Sequence, residues 1–181
     1  ILGGGEQHIC SILKVFDDAG YKSDIVTKDR DFIGKLEKTH NISLKNARAI
    51  SEIPRADGYD ICLYVTDGSY FFSRAKETYI FYMYPKKEIL PRGIINKMKT
   101  RKAHFFANGV FTAEKIEKMM KKKVEVVQPY IDDRFFYKGT AKKKIILSVG
   151  RFFPHLHSKR QDVLIEAFTK LQKKSSTFHS Y

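Results

Sequence analysis

The chain has 181 residues, of which 43% are hydrophobic and 13% aromatic, with 34 Lys and Arg against 20 Asp and Glu. This composition excludes a disordered or fibrous protein, and the length fits one domain, or one domain and part of another. No apolar run approaches the roughly 18–20 residues that a membrane-spanning helix needs. The only cysteines, Cys10 and Cys62, match no metal-ligand spacing, so free thiols in the reducing cytoplasm are expected.

The predicted elements begin with a helix. Apolar residues recur at helical spacing after Glu6, and Gly20 stands where such a helix would be capped. A weak helix is predicted at residues 31–38, and strands are predicted at residues 24–28, 47–53, 59–66 and 78–84. The last two runs are continuously apolar, which indicates strands buried on both faces of a parallel sheet with helices outside.

A mixed basic segment with Pro91 follows, and then the alternation resumes. We expect a strand at residues 103–107, a helix from Thr112 to about Lys121 with Thr112 as its N-cap, and a strand at residues 124–128. This order predicts an α/β fold with a doubly wound parallel sheet, whose ligand crevice lies beyond the carboxyl ends of the strands.

A small polar stretch at residues 137–143 then interrupts the pattern and is interpreted as a linker. A buried strand is predicted at residues 144–149, followed by a loop and a helix at residues 161–173. These form one βα unit of a second domain. Both ends look cut, since the chain begins on Ile1 and stops soon after this helix, and we therefore expect a fragment.

Two groups of residues are suited to anionic ligands. Gly3, Gly4 and Gly5 stand directly before the first helix, so free backbone N–H groups would form a cradle for an anion or a sugar hydroxyl. A tight turn with positive φ is the alternative. Arg151 and Lys159 flank one strand-to-helix loop on the ligand side of the sheet, an arrangement that suits phosphate oxygens. Taken singly, either cation is more often solvated or bound to a neighbouring carbonyl.

Four segments carry a resemblance to a known family. They are GGGE before the first helix, FFANGVFTAEKI, VVQPYID and ILSVGRFFPHLHSKRQDVLIEAF, in that order. The chain resembles glycosyltransferase family 4, which has the two-domain GT-B fold, and the last segment is the most specific. The resemblance implies a Rossmann-like acceptor-side domain at residues 1–137 without its first strand, a linker at 138–143, and the start of a Rossmann-like nucleotide-sugar donor domain at 144–181.

The resemblance also implies an activity. Members of the family are retaining glycosyltransferases that need no metal or other cofactor, and this chain is expected to use a nucleotide-sugar and a hydroxyl of a lipid-linked or polysaccharide acceptor. Arg151 and Lys159 correspond to the catalytic pair that holds the donor diphosphate and stabilises the charge on the leaving group. Gly4 and Gly5 correspond to the loop that approaches the donor phosphate. Asn108 corresponds to a structural residue.

The chain departs from the family pattern in two places. Met83 or Tyr84 stands where many members have a His before a proline, so Tyr84, together with Asp67 and Ser69 at the preceding strand end, is an acceptor-side candidate. A simple Asp-Gly turn is the alternative for Asp67. The paired glutamates of the donor domain have no counterpart, so the fragment alone is expected to be inactive. A catalytically lapsed sugar-binding relative is an alternative.

The positive charge is concentrated between Lys86 and Lys123. This segment has twelve Lys and Arg against three Glu, a net of +9 out of the formal +14 of the chain. Its interpretations are an anionic membrane surface, plain solubility, or nucleic acid, with the last not expected. Tyr70, Phe71 and Phe72 would add apolar anchorage at a membrane. The expected location is the cytoplasm, with peripheral attachment at the inner face of the membrane.

Overall fold

Helices and strands alternate along the chain. In chain order they are α1 (Gly4–Asp18), β1 (Ser23–Val26), α2 (Phe32–His40), β2 (Ala47–Ile50), β3 (Ile61–Val65), β4 (Glu77–Tyr82), α3 (Gly93–Lys99), β5 (His104–Ala107), α4 (Val110–Met120), β6 (Glu125–Val126) and α5 (Gln161–Lys174). Single turns of 3-10 helix lie at Pro54–Ala56 and Lys87–Ile89. The computed structural model describes residues 4–52, 54–131, 135–136, 139, 141, 145–150 and 160–174.

The strands of the described chain form two parallel sheets. β1 pairs with β2, and β3, β4, β5 and β6 form a four-stranded sheet in that order. The parallel pairing confirms the predicted α/β class and is compatible with a Rossmann-like fold. It differs from the single doubly wound sheet of the prediction, because no strand pairing joins β1 or β2 to the four-stranded sheet in the described residues.

The core lies between the four-stranded sheet and α4. Alternate residues of β4 and β5 share one face of the sheet. They pack with the buried side of α4 in a single cluster that includes Ile80, Tyr82, Phe105, Ala107, Ala113 and Ile116. Removal of this apolar surface from water is the main stabilising contribution to the sheet. The opposite face carries Phe81, which is fully buried.

Two buried tyrosines hold the loop between β3 and β4 onto this core. The hydroxyl of Tyr70 donates a hydrogen bond to the carbonyl of Ile89, and its oxygen lies 2.9 Å from the hydroxyl of Tyr82. Tyr70 is only 7% exposed, so the expectation that it anchors a membrane surface is wrong. The reason is that its hydroxyl has partners inside the core, whereas Phe71 and Phe72 are exposed at 39% and 43%.

Helix α1 contacts both sheets. Near its C-terminal end, the carboxylate of Asp17 accepts hydrogen bonds from the backbone N–H groups of Asn46 (2.6 Å) and Lys45 (3.0 Å), directly before β2. Nearer its N-terminal end, the ring of His8 lies 4.7 Å from the ring of Phe81 in β4, measured between centroids. One helix therefore holds the two-stranded and four-stranded sheets together.

Helix α4 begins earlier than predicted. Its N-cap is Gly109, and the N–H of Ala113 donates to the carbonyl of Gly109 at 3.0 Å. Thr112, the predicted N-cap, lies in the first turn and is buried. The start shifts because the chain leaves β5 at Ala107 and turns directly into the helix.

Two predicted strands also differ. β6 contains only Glu125 and Val126 of the predicted residues 124–128, because its partner β5 ends at Ala107. The strand predicted at residues 144–149 is absent from the described residues 145–149, and Leu147 and Val149 there are 79% and 81% exposed. A strand needs a hydrogen-bonded neighbour, and no strand is found in the described part of residues 133–181.

The chain divides into two compact units, residues 1–132 and 133–181. The first contains α1 to β6, and the second contains α5. The predicted assignment of residues 1–137, 138–143 and 144–181 to two domains and a linker stays a prediction.

Asp17→Asn is expected to destabilise the fold and to change its response to acid. The backbone N–H of Asn46 holds the pKa of Asp17 below its ordinary value of 3.8. The pKa of Asp17 is lower in the folded chain than in the unfolded chain. The carboxylate therefore stabilises the folded state fully above pH 3.8, and this stabilisation is lost as the pH falls through the folded-state pKa. Urea unfolding as a function of pH measures this contribution. Asp18→Asn at the exposed neighbouring carboxylate is the matched control, and the same acid dependence in wild type and Asp17→Asn would contradict the interpretation.

Candidate functional site

A crevice of about 320 Å³ opens at the carboxyl-terminal edge of the four-stranded sheet. It lies where the N-terminal end of α1 meets the segments that follow β4, β5 and β6. Its lining consists of Gly4, Gly5, Gln7, His8, Met83, Asn108, Pro129 and Tyr130. In open parallel sheets, ligands bind at this edge, so the crevice is the candidate functional site.

The first turn of α1 forms one wall of the crevice. Gly4 and Gly5 are the first two residues of the helix and not part of a preceding loop, and neither has a positive φ. The alternative of a positive-φ turn is therefore wrong for these two glycines, while Gly3 lies outside the described residues. Backbone N–H groups in a first helical turn have no carbonyl partner within the helix, and they favour a negatively charged group.

The fold itself does not require glycine at this end of α1. A Cβ atom at Gly4 would meet nothing within 4 Å, and one at Gly5 would lie 3.6 Å from the Cε of Met83, an ordinary contact distance. Glycine is also an unfavourable residue in a helix. A requirement for glycine here would therefore come from a ligand that approaches the backbone closely.

His8 is the most unusual side chain of the crevice. It is 1% exposed, and neither of its ring nitrogens has a hydrogen-bond partner in the described part of the chain. Burial lowers the pKa of His8 below its ordinary value of 6.5. The nearby backbone of Val127 raises this pKa by less than burial lowers it, and it does not form a hydrogen bond of normal geometry with the ring. A buried polar atom without a partner costs roughly 1–3 kcal/mol. A neutral imidazole at this place can donate one hydrogen bond to a ligand and accept another.

Asn108 joins the ends of two strands beneath the crevice. Its side-chain Nδ2 donates a hydrogen bond of 3.0 Å to the backbone carbonyl of Met83. Because Met83 follows β4 and Asn108 follows β5, this bond fixes the two strand ends relative to each other. The contact agrees with the structural role that the family resemblance implies for Asn108.

The acceptor-side candidates lie at the same edge of the sheet, but none of them lines the crevice. Asp67 is exposed, and its carboxylate accepts a hydrogen bond of 3.0 Å from the N–H of Ser69, which lowers the pKa of Asp67. This is an Asx turn of the kind expected for an Asp-Gly sequence. Tyr84 is 41% exposed, and the Nζ of Lys86 lies 5.3 Å from its ring centroid.

The predicted donor-side cations cannot be placed in the structure. Arg151 and Lys159 lie outside the described residues, as do His155 and His157 between them. In its described part, the crevice is lined by Gly4, Gly5, Asn108, Pro129 and Tyr130 from the motif segments and by Met83. Gln7 and His8 also line it, and no motif indicated these two residues.

No metal site is found in the described residues, since no three His, Cys, Asp or Glu side chains lie together there. Cys10 and Cys62 are free, and burial raises the pKa of the Cys10 thiol to about 11, which makes it a poor nucleophile. Within the same residues, no helix is long and apolar enough to cross a membrane.

The structure defines an α/β protein with parallel sheets and a crevice, the candidate ligand site, at the carboxyl-terminal edge of the four-stranded sheet. Comparisons of the chain with protein-family models, with curated proteins and with solved structures gave no match. The assignment of a function therefore depends on the sequence motifs and on the chemistry of the crevice.

His8→Phe and His8→Leu are expected to be as stable as the wild type or more stable near pH 7.5, because they remove two buried polar atoms without partners. Both variants should also respond less to pH. The unfolded chain takes up a proton near pH 6.5 whereas the folded chain resists it, so wild-type stability falls as the pH drops below 6.5. Denaturant unfolding between about pH 8 and pH 5 measures the difference.

The control for this experiment is His104→Gln, which replaces an exposed histidine that pairs with Glu77. Strong destabilisation of both His8 variants near pH 7.5, with an unchanged response to pH, would show that the imidazole has a partner in the folded protein.

Proposed function

We propose that the chain belongs to a retaining glycosyltransferase that moves a sugar from a nucleotide-sugar donor to a hydroxyl of a lipid-linked or polysaccharide acceptor. In this proposal, which follows the family resemblance, residues 1–137 form the acceptor-side domain, and Arg151 and Lys159 bind the donor diphosphate. The observation that carries the proposal is the crevice, in which the first turn of α1 and the unpartnered His8 meet at the ligand-binding edge of a parallel sheet.

The electrostatics of the first helical turn favour a phosphate-bearing donor. The N-terminal end of α1 carries a partial positive charge, and its free N–H groups are available to phosphate oxygens. Bond cleavage in a nucleotide-sugar releases a diphosphate, on which negative charge develops in the transition state. Cations such as Arg151 and Lys159 that stabilise this charge accelerate the reaction.

His8 would contribute binding and orientation. Its low pKa keeps the imidazole neutral near pH 7, so that it can hydrogen-bond a sugar hydroxyl or a phosphate oxygen without contributing charge. A ligand in the crevice would thereby satisfy a polar group that the fold leaves without a partner. Asp67, Ser69 and Tyr84, at the same edge, are the proposed contacts for the acceptor.

A nucleic-acid-binding function has less support. The aromatic rings beside His104 could form a base-stacking platform only if they were accessible, but Phe105 is 4% exposed and belongs to the core cluster. Base stacking requires an accessible ring face. Phe135 and Phe136, in the other basic and aromatic segment, are exposed at 70% and 59%, but no helix-turn-helix, RNA-recognition or zinc-finger pattern accompanies them in the sequence.

Arg151→Ala and Lys159→Ala are each expected to lower kcat by roughly 100-fold or more in the full-length protein, because they remove stabilisation of the leaving-group charge. Steady-state transfer of the sugar and hydrolysis of the donor are measured side by side. Lys170→Ala, which removes an exposed cation paired with Glu166, is the matched control. Unchanged kinetics in both variants would contradict the donor assignment, and a full-length wild type that binds donor but transfers nothing would favour the lapsed relative.

Gly5→Ala is expected to stabilise the free protein by up to about 1 kcal/mol, because alanine is the better helix former, and to weaken binding of a nucleoside diphosphate. Calorimetric titration with UDP, GDP and ADP measures binding, and thermal unfolding measures stability. Gly34→Ala within α2, where a Cβ also meets nothing within 4 Å, is the control and should stabilise without affecting binding. Equal affinity of Gly5→Ala and wild type for all three nucleotides would contradict a ligand at the first turn of α1.

A further inference from the structure

Helix α3 presents its apolar side chains to solvent. Ile94, Ile95 and Met98 are 79%, 65% and 59% exposed, and the helix has no buried residue. Single exposed apolar residues are common on protein surfaces, but a cluster of them within one short helix marks an interaction site.

The helix is held by its C-terminal end and not by burial of its apolar face. The N–H and the hydroxyl of the buried Thr100 both donate to the carbonyl of Asn96, at 3.1 and 2.9 Å. The ammonium group of Lys99 donates to the carbonyl of Tyr70 at 2.7 Å. These polar contacts fix α3 in place while its isoleucines remain available to a partner.

A groove of about 850 Å³ lies between α3 and the C-terminal end of α4. Its apolar part includes Ile94 and Met98 together with Leu90, Met119 and Met120, and it is lined by five cationic residues, Lys87, Arg92, Lys97, Arg101 and Lys122. In the described part of the chain, none of these five side chains forms an ion pair with a carboxylate. Lys122 contacts the carbonyl of Thr100 and the ring of Phe105, and the charge of the other four is available to an external anion.

We propose that the α3 surface, defined as Ile94, Ile95 and Met98 with these five cations, docks onto an anionic lipid bilayer. The apolar side chains enter the boundary between headgroups and acyl chains, and the long cationic side chains reach the lipid phosphates. Both parts are needed, because apolar burial and attraction to anionic lipids act together in surface binding. This inference does not rest on the proposed transferase activity.

The chemistry of the α3 surface favours a bilayer over the other partners of a basic surface. A second copy of the chain on this surface would bring its five cations against another five. Nucleic acid would neutralise the charge, but the exposed apolar residues of α3 are Ile94, Ile95 and Met98, which offer no ring for base stacking. A fluid layer with anionic headgroups and an apolar interior matches both the charge and the isoleucines.

Insertion can be measured directly because the chain has no tryptophan. Ile95→Trp places a single reporter on the α3 surface, and Val15→Trp places one at a similarly exposed apolar position of α1. With vesicles of phosphatidylcholine containing 30% phosphatidylglycerol, the emission of the Ile95→Trp chain should shift to the blue and be quenched by nitroxide-labelled acyl chains. The Val15→Trp chain should show neither effect. Equal responses of the two reporters would overturn the proposal.

The cationic part is tested by co-sedimentation with the same vesicles. The double variant Lys97→Gln with Arg101→Gln should bind about fivefold more weakly for each cation removed. The control variant Lys28→Gln with Lys38→Gln has the same net charge and should bind like the wild type. Equal weakening in both variants would mean that only the total charge matters and would contradict a specific surface.

Further measurements test whether the bound anion is the lipid headgroup, free phosphate or nucleic acid. Binding should fall as salt is raised to about 0.5 M and be weak on pure phosphatidylcholine. Millimolar inorganic phosphate should not displace the chain from the vesicles. Tighter binding to a single-stranded 20-mer than to anionic vesicles, with loss of that binding in Lys97→Gln with Arg101→Gln, would replace the bilayer with nucleic acid as the partner.

Discussion

The arrangement of the first unit depends on the packing of α1 across two sheets that share no strand pairing. At one end, Asp17 binds the backbone at the start of β2, and near the other end His8 packs on Phe81 of β4. A hydrogen bond from the hydroxyl of Tyr59, just before β3, to the carboxylate of Asp24 in β1 adds a second link. The same packing fixes the first turn of α1 at the carboxyl-terminal edge of the four-stranded sheet. The crevice is therefore a direct consequence of the contacts that hold the two sheets together.

His8 shows a conflict between stability and ligand binding. Its surroundings would accommodate an apolar side chain, since the imidazole packs on the ring of Phe81 at a tilt of 47°. The chain nevertheless has a histidine here, and its ring nitrogens have no hydrogen-bond partner in the described residues. It lines the crevice beside the first-turn N–H groups of α1, which favour an anion. Proteins commonly retain such unfavourable groups where function requires them. Burial both removes the partners of the imidazole and keeps it neutral, so one environment sets its availability and its charge state.

The parts of the fold that could be predicted are those in which local pattern and burial agree. The run around Glu77–Tyr82 is apolar at successive positions, as a strand covered on both faces requires, and Ile80, Phe81 and Tyr82 are fully buried. The run around Ile61–Val65 also forms a strand, but it lies at the edge of the described sheet with Ile61 and Val65 41% and 42% exposed, so the expected burial on both faces is wrong for β3. Helix α3 was missed because its apolar residues face solvent, which removes the usual relation between periodicity and the core. The separation of the two sheets, the absence of a strand at residues 145–149 and the lack of partners around His8 depend on distant neighbours. No local pattern contains that information.

The topology also explains why the crevice and the α3 surface lie apart in one small unit. After β4 reaches the crevice, the chain passes through α3 and enters β5 from its amino-terminal end, so the C-terminal end of α3 lies towards the opposite edge of the sheet. Helix α4 runs in the same direction, from Gly109 near the crevice to Met120, and the ammonium group of Lys122 beyond it lies 3.4 Å from the carbonyl of Thr100. The groove between these two helix ends is thus directed away from the carboxyl-terminal edge. A bilayer bound at the α3 surface would therefore leave the crevice open to water.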